Sequence, residues 1–232
     1  MHNPNVACNQ FPQAARDIMK SASKRDRILD TAEILFAERG FDGVTLRQIA
    51  EGANVDVALA SYHFGKKLDL FRAVFMRRAP EINSARRDAL ELAKQSAGDQ
   101  GLTVEPIIEA FLRPLELAQE TGDKGWENYL ALIAYINNSP YWGQHMMSEA
   151  FDELVEEFID ALRAALPNAQ DSDLYWCYNN LSGALTLTFA RTGRIDHLSK
   201  GLCRSDDFRA AYDHMIPFVA AGFREVCGKH NG

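Results

Sequence analysis

The chain has 232 residues, 47% of them hydrophobic and 25% charged, with a formal net charge of -7; this suits one or two globular domains and excludes a disordered tail, a collagen-like repeat and a small disulfide scaffold. Cys8, Cys177, Cys203 and Cys227 are scattered without a C-x-x-C, so no zinc site or secreted framework follows. No apolar run is long enough to span a membrane, and MHNPNVACNQ lacks the basic and apolar stretches of a signal peptide, which makes a cytoplasmic protein the expectation. The charge is uneven. The first 79 residues carry 12 Lys+Arg against 9 Asp+Glu, and the rest carry 13 against 23. The front third is therefore the part suited to an anionic partner, with ordinary scatter of surface charge as the alternative.

Residues 1–22 read as a flexible arm with a short helical turn at 13–19. From Ser23 a helical period begins. Ile28, Leu29, Ala32, Leu35 and Phe36 recur three and four apart, with Lys24, Arg25, Asp26 and Glu33 on the outer face. Gly40 suits the left-handed position that closes a helix. Thr45 and Gln48 have the spacing of a capping box ahead of Ile49 and Ala50. Ala53-Asn54-Val55 then separates two short helices, and Asn54 tolerates a left-handed backbone, the arrangement of a helix-turn-helix. Asp56 is placed to cap a helix over 57–63, which Gly65 ends. A helix from Lys67 carries Leu68, Leu70, Phe71, Val74 and Phe75 inside, and Pro80 breaks it.

Beyond Pro80 the periodicity predicts helices over 82–96, 103–120, 126–138, 146–166, 172–192 and 206–227, and no strand. Pro106 fits a first turn, while Pro114 and Pro217 are expected to kink their helices. The fold class is all-α.

The landmarks Ile28-Leu29, Ala32, Leu35-Phe36, Gly40-Phe41, Thr45, Ile49-Ala50, Ala53 with Val55, Tyr62-His63-Phe64, Lys67 and Leu70 fall in order over residues 24–71. In this the stretch resembles the DNA-binding domain of the tetracycline-repressor-like (TetR/AcrR) family of bacterial transcriptional regulators. It departs from that pattern at Asn54, Ser61, Lys66 and Leu68; Lys66 replaces a common capping serine. The resemblance implies an N-terminal three-helix DNA-binding domain over 23–80 and a larger helical effector-binding and dimerisation domain over 81–232. A short second helix braced by the first suits a major groove. Val57 and Ala60 are placed to meet thymine methyls or simply to allow close approach, and Ser61 to meet a base or phosphate. Lys67, near a helix N-terminus, suits a phosphate. Thr45 combines capping with a phosphate contact, Arg47 reaches the backbone, and Lys24 and Arg25 follow the groove. Tyr62 and His63 are phosphate contacts in the family, with packing or capping as the alternative for His63.

The family also implies a homodimer through two helices near the C-terminus. The stripe Phe158, Leu162 and Leu166, together with Gly183 and Leu187 on the apolar stretch 174–190, is the expected interface; a buried central helix in a monomer is the alternative. Phe111, Arg113, Trp126, Tyr129, Met147, Phe151, Trp176 and Asn180 are the expected effector-binding residues, with most aromatics serving the core. The runs Tyr62-His63-Phe64-Gly65 and Phe111-Leu112-Arg113-Pro114 resemble the fatty-acid and acyl-coenzyme-A responsive branch. That branch implies an apolar acid or thioester met by Arg113, unless Arg113 pairs with Glu109 or Glu116. His145 and Glu149 have a metal-pair spacing without a third ligand. No catalytic motif, metal site or cofactor is expected. The expected function is a repressor that binds a double-stranded DNA operator as a homodimer and is released by a small apolar effector, with no membrane partner. A helical adaptor that binds protein through the front module is the alternative.

Overall fold

The computed structural model describes residues 23–228, so the arm expected over 1–22 lies outside the described residues. They form helices and turns, and the chain divides into two compact units, Met1–Arg78 and Ala79–Gly232.

The first unit holds α1 (Lys24–Arg39), α2 (Leu46–Gly52), α3 (Val57–Phe64) and α4 (Lys67–Met76). Ser23 starts α1, its Oγ accepting the Asp26 N–H at 3.2 Å. Ile28, Ala32 and Phe36 are buried against α4, where the Phe36 and Phe71 rings meet edge-on at 4.9 Å. Such a pair adds about 0.5–1.5 kcal/mol beyond its burial. The expected capping box forms. Thr45 Oγ1 accepts the Gln48 N–H at 3.2 Å, and Gln48 Oε1 accepts the Thr45 N–H at 2.8 Å. Gly52 ends α2 against α1, and a Cβ there would stand 2.8 Å from Thr31 Cγ2. Two expectations are corrected. Glu33 is buried rather than outward, because Arg78 at 3.5 Å and Arg77 at 4.0 Å meet its carboxylate. Leu68 is exposed, because Leu70 and Phe71 already fill the inner face of α4.

The second unit holds α5 (Ala79–Ala97), α6 (Val104–Glu120), α7 (Lys124–Asn137), α8 (Gly143–Ala165), α9 (Asp171–Ala190), α10 (Arg194–Leu198) and α11 (Phe208–Cys227). Helix α6 packs on both α5 and α11, α9 packs on α7 and α11, and α8 contacts α5, α6, α7 and α9. Pro80 lies in the first turn of α5 rather than ending α4, which stops at Met76; a missing N–H costs nothing there. Pro114 and Pro217 lie inside continuous helices. The five-residue α10 was not anticipated. It follows Arg191, whose φ of 44° closes α9. Arg87 ties α5 to α8 through Glu157 at 2.8 Å. Among the described residues no helix is long and apolar enough to cross a membrane, and no group of three or more His, Cys, Asp or Glu is placed to hold a metal ion.

Candidate nucleic-acid interface and effector cavity

The turn between α2 and α3 is set by backbone chemistry. Asn54 takes φ 53°, and the Val55 N–H reaches back to the Ala50 carbonyl at 3.0 Å, the six-to-one bond that ends a helix while turning the chain. Asp56 occupies the cap position of α3, but its side chain makes no capping hydrogen bond, contrary to expectation. Gly65, at φ 72°, closes α3.

Helix α3 then has two faces. Ala60 and Phe64 point inward, and Val57, Ala58, Ser61 and Tyr62 point out. The Tyr62 ring is 83% exposed, its edge against the half-buried His63 ring at 5.5 Å. Ala60 is fully buried, so its expected contact with a base is corrected; it is the small residue on which α3 seats. Ala58, with no motif to single it out, takes the outer position instead.

The cations divide in the same way. Lys24 is exposed, and the exposed Arg25 lays its guanidinium 5.1 Å from the Phe64 ring centre, joining the start of α1 to the end of α3. Arg47 is exposed and pairs with Glu51 at 2.9 Å. Thr45 is exposed, but its hydroxyl serves the capping box. Lys67 is corrected. Its ammonium donates to the Phe41 and Val44 carbonyls at 2.9 Å each and sits 4.0 Å from the Phe41 ring centre. It latches the α1–α2 loop onto α4 rather than facing outward. The exposed cation at this helix start is Lys66, whose N–H is held by Asp69 Oδ2 at 3.0 Å. Asp69 thereby supplies its own half of a capping box, while the other half, an acceptor on the cap residue, is one that the Lys66 ammonium cannot provide.

In the second unit a small cavity of about 40 Å³ lies among α5 to α9. It gathers Phe111, Met147 and Phe151 as expected, together with Arg86, Ile133, Asn137, Tyr178, Leu185 and Phe189. Asn137 Nδ2 donates to Thr186 Oγ1 at 2.7 Å and to Ser182 Oγ at 3.2 Å, which fixes the amide at the wall. The other expected lining residues lie elsewhere. Arg113 pairs with Glu116 at 2.5 Å and Asp213 at 2.7 Å, and it lines an open groove beside Trp126 and Pro114. Its ion pairs hold the Asp213 carboxyl below the usual carboxylate range. Tyr129 is fully buried in the core. Trp176 is 67% exposed and Asn180 is exposed, because α9 turns its other face to the cavity. Arg86 was missed, although Ile82, Arg86 and Leu90 share one helical stripe and a charge in an apolar stripe is a readable signal.

The outer faces of α9 and α11 carry large apolar side chains that nothing in the described chain covers. Trp176, Leu187 and Phe218 are 67%, 66% and 77% exposed, and Cβ atoms at Gly183 and Gly222 would meet nothing within 4 Å. Phe158 and Leu162, expected on an interface, are buried in the chain's own core, and Leu166 is half-buried beyond the end of α8. The stripe reading fails because the apolar face of α8 is taken up by packing on helices of its own chain.

The family model for "Bacterial regulatory proteins, tetR family" matches residues 28–74, and that for "Tetracyclin repressor-like, C-terminal domain" matches residues 109–222. The biofilm operon icaADBC HTH-type negative transcriptional regulator IcaR of Staphylococcus epidermidis is 40% identical over 48 residues, 21% of this chain and 26% of that protein. IcaR of Staphylococcus aureus strain Newman is 43% identical over 47 residues, 20% and 25% of the two chains. The match thus spans about a quarter of these curated relatives. A TetR-like transcriptional regulator from Rhodococcus sp. RHA1 superposes with a TM-score of 0.60 at 19% identity, covering 94% of this chain and 99% of that one. The fatty acid degradation regulator FadR from Bacillus halodurans does so with a TM-score of 0.61 at 15% identity, covering 88% and 98%. At such identities the likeness speaks to the fold.

Proposed function

The chain belongs to the tetR family of bacterial regulatory proteins, a non-catalytic class, and on that premise we propose that it is a ligand-responsive repressor that binds a palindromic operator as a homodimer and is released by a small, mostly apolar effector. The observation that carries the reading is the division of α3: Ala60 and Phe64 lock it to its unit while Val57, Ala58, Ser61 and Tyr62 are left outside. Eight residues make a poor helix alone, and a helix held this way is suited to a major groove. Lys24, Arg25, Arg47 and Lys66 are the exposed cations for phosphates. Repression is the role named for IcaR, whose likeness is confined to this unit.

The homodimer uses the uncovered faces of α9 and α11. Large apolar side chains left in water beside small residues favour a second helix pair packed at close range. The effector occupies the cavity lined by Phe111, Met147 and Phe151. Its release of DNA requires different affinities for the operator-competent and incompetent forms, with coupling of about 1–3 kcal/mol.

Selection from a random duplex pool, followed by footprinting, tests the reading. The expected result is an imperfect palindrome whose half-sites lie about 34–36 Å apart, or a multiple of that. A single unsymmetrical half-site bound with full affinity overturns the dimer. Retention of no duplex at low salt overturns DNA binding and leaves the protein-binding adaptor.

A further inference from the structure

Arg86 lies on α5 with 5% of its surface exposed, at the wall of the cavity. Its Nε–H donates to the Phe111 carbonyl at 2.8 Å, and its guanidinium carbon stands 4.0 Å from the Phe111 ring centre. Among the described residues no carboxylate pairs with it, and its two Nη groups make no hydrogen bond. Nearby arginines are answered: Arg87 by Glu157, Arg113 by Glu116 and Asp213. Around Arg86 the polar groups are the phenols of Tyr178, Tyr212 and Tyr129, and the buried Tyr212 hydroxyl has no partner. Burial pulls the guanidinium down to about 10, with the phenols opposing, so it stays charged at neutral pH. A buried charge without a counter-ion is costly, and here the fork that is left unused lies at the wall of a cavity whose other lining residues are uncharged and mostly apolar.

We infer that Arg86 is the anion-recognising group of the cavity and that the effector is an amphiphile carrying a single carboxylate on an apolar body. The inference rests on the reading of this cavity as the effector site. Arg86 is the one charged residue in the lining. A carboxylate balances one positive charge and matches the planar fork with two parallel hydrogen bonds. A phosphate monoester, at about -1.5 to -2, leaves excess negative charge in the site. Phe111, Ile133, Phe151, Leu185 and Phe189 offer the apolar body its surroundings.

The test is calorimetry on the full chain with decanoate, decan-1-ol and decyl phosphate, using the wild type, Arg86→Met, Arg86→Lys and Met147→Trp, the last to plug the cavity. The expected result is decanoate binding about 10- to 100-fold tighter than decan-1-ol, the range for hydrogen bonds to a charged group. Arg86→Met should bring decanoate down to the level of the alcohol without weakening the alcohol, Arg86→Lys should keep part of the preference, and Met147→Trp should weaken every probe. If Arg86→Met does not fold, the wild-type comparison and Arg86→Lys decide. Equal binding of decanoate and decan-1-ol, both blocked by Met147→Trp, overturns the role of Arg86 and leaves the cavity reading standing. Tighter binding of decyl phosphate overturns the carboxylate. Binding that Met147→Trp does not affect, or no binding at all, overturns the cavity reading and this inference with it.

Discussion

The two units order their helices with very different amounts of local instruction. In the first, nearly every helix end has its own device: Ser23 on α1, the Thr45–Gln48 box on α2, left-handed Asn54 after it, Gly65 behind α3 and Asp69 at the start of α4. In the second, Asp123 and Asp207 cap α7 and α11, but α6, α8 and α9 begin at Thr103, Trp142 and Gln170 with no side-chain cap, and there neighbouring helices settle which face is inside. Where ends are locally marked, the outer face follows from the chain itself. Where packing decides, a stripe of apolar residues says that something is buried without saying against what.

The sharpest way to break this contrast is at Phe158, which has the sequence signature of an interface and the burial of a core. Phe158→Ala should destabilise the chain by about 3–5 kcal/mol in urea melts while the fold that remains keeps its oligomeric state. An unchanged melt with a dissociated dimer in sedimentation would return Phe158 to the interface. Lys67→Met removes two charged hydrogen bonds to carbonyls, and a loss of about 2–3 kcal/mol is expected. A stable variant whose DNA binding has lost salt dependence would make Lys67 a phosphate contact after all. Gly183→Leu should cost about 1–3 kcal/mol in dimer affinity by overpacking and leave the isolated subunit untouched, since nothing of its own chain lies within 4 Å. Sedimentation across a concentration series reads this directly, and an unaltered dimer moves the interface off α9.

Smaller effects sharpen the first unit. Lys66→Ala should reduce the slope of log affinity against log salt by about 0.9 with no change in melting; an unchanged slope removes Lys66 from the DNA face. Burial holds the Glu33 carboxyl above its ordinary value of 4.5, against the lowering pull of Arg78 and Arg77. A raised carboxyl favours the fold when protonated, and that contribution is lost as pH rises through its folded value. Relative to Glu33→Gln, the wild type should therefore gain stability as pH falls from 7 toward 4.5, in paired urea melts. A difference that stays flat with pH would mean that the arginines cancel the burial.

Much of the fold was legible because it is written in short-range signals. The helix-turn-helix needed Thr45, Asn54 and Gly65 in sequence, and each does locally what its chemistry suggests. The exposure of Val57, Ser61 and Tyr62 was readable, whereas Ala60 and Lys67 were misassigned because one helical step decides between inside and outside. The second unit was legible as helices but not as surfaces. Trp176 has the composition of a pocket residue, since aromatic residues more often belong inside, yet α9 gives the cavity Tyr178 and Leu185 and leaves Trp176 out. Arg113 drew attention through its motif, whereas Arg86, with no motif around it, emerged only when α6 brought the Phe111 carbonyl to it.

The adjacent pair Lys66 and Lys67 gives amine-directed chemistry two opposite targets. An acylating reagent meets Lys66 in solvent, where neutralising its charge alters the outer face and leaves the fold alone. At Lys67 it meets an ammonium already held by two carbonyls and an aromatic ring, so acylation there must wait for the loop to unlatch. The modification rate at Lys67 therefore reports how often this loop opens, and the rate at Lys66, one residue away, supplies the internal standard for an amine that nothing protects.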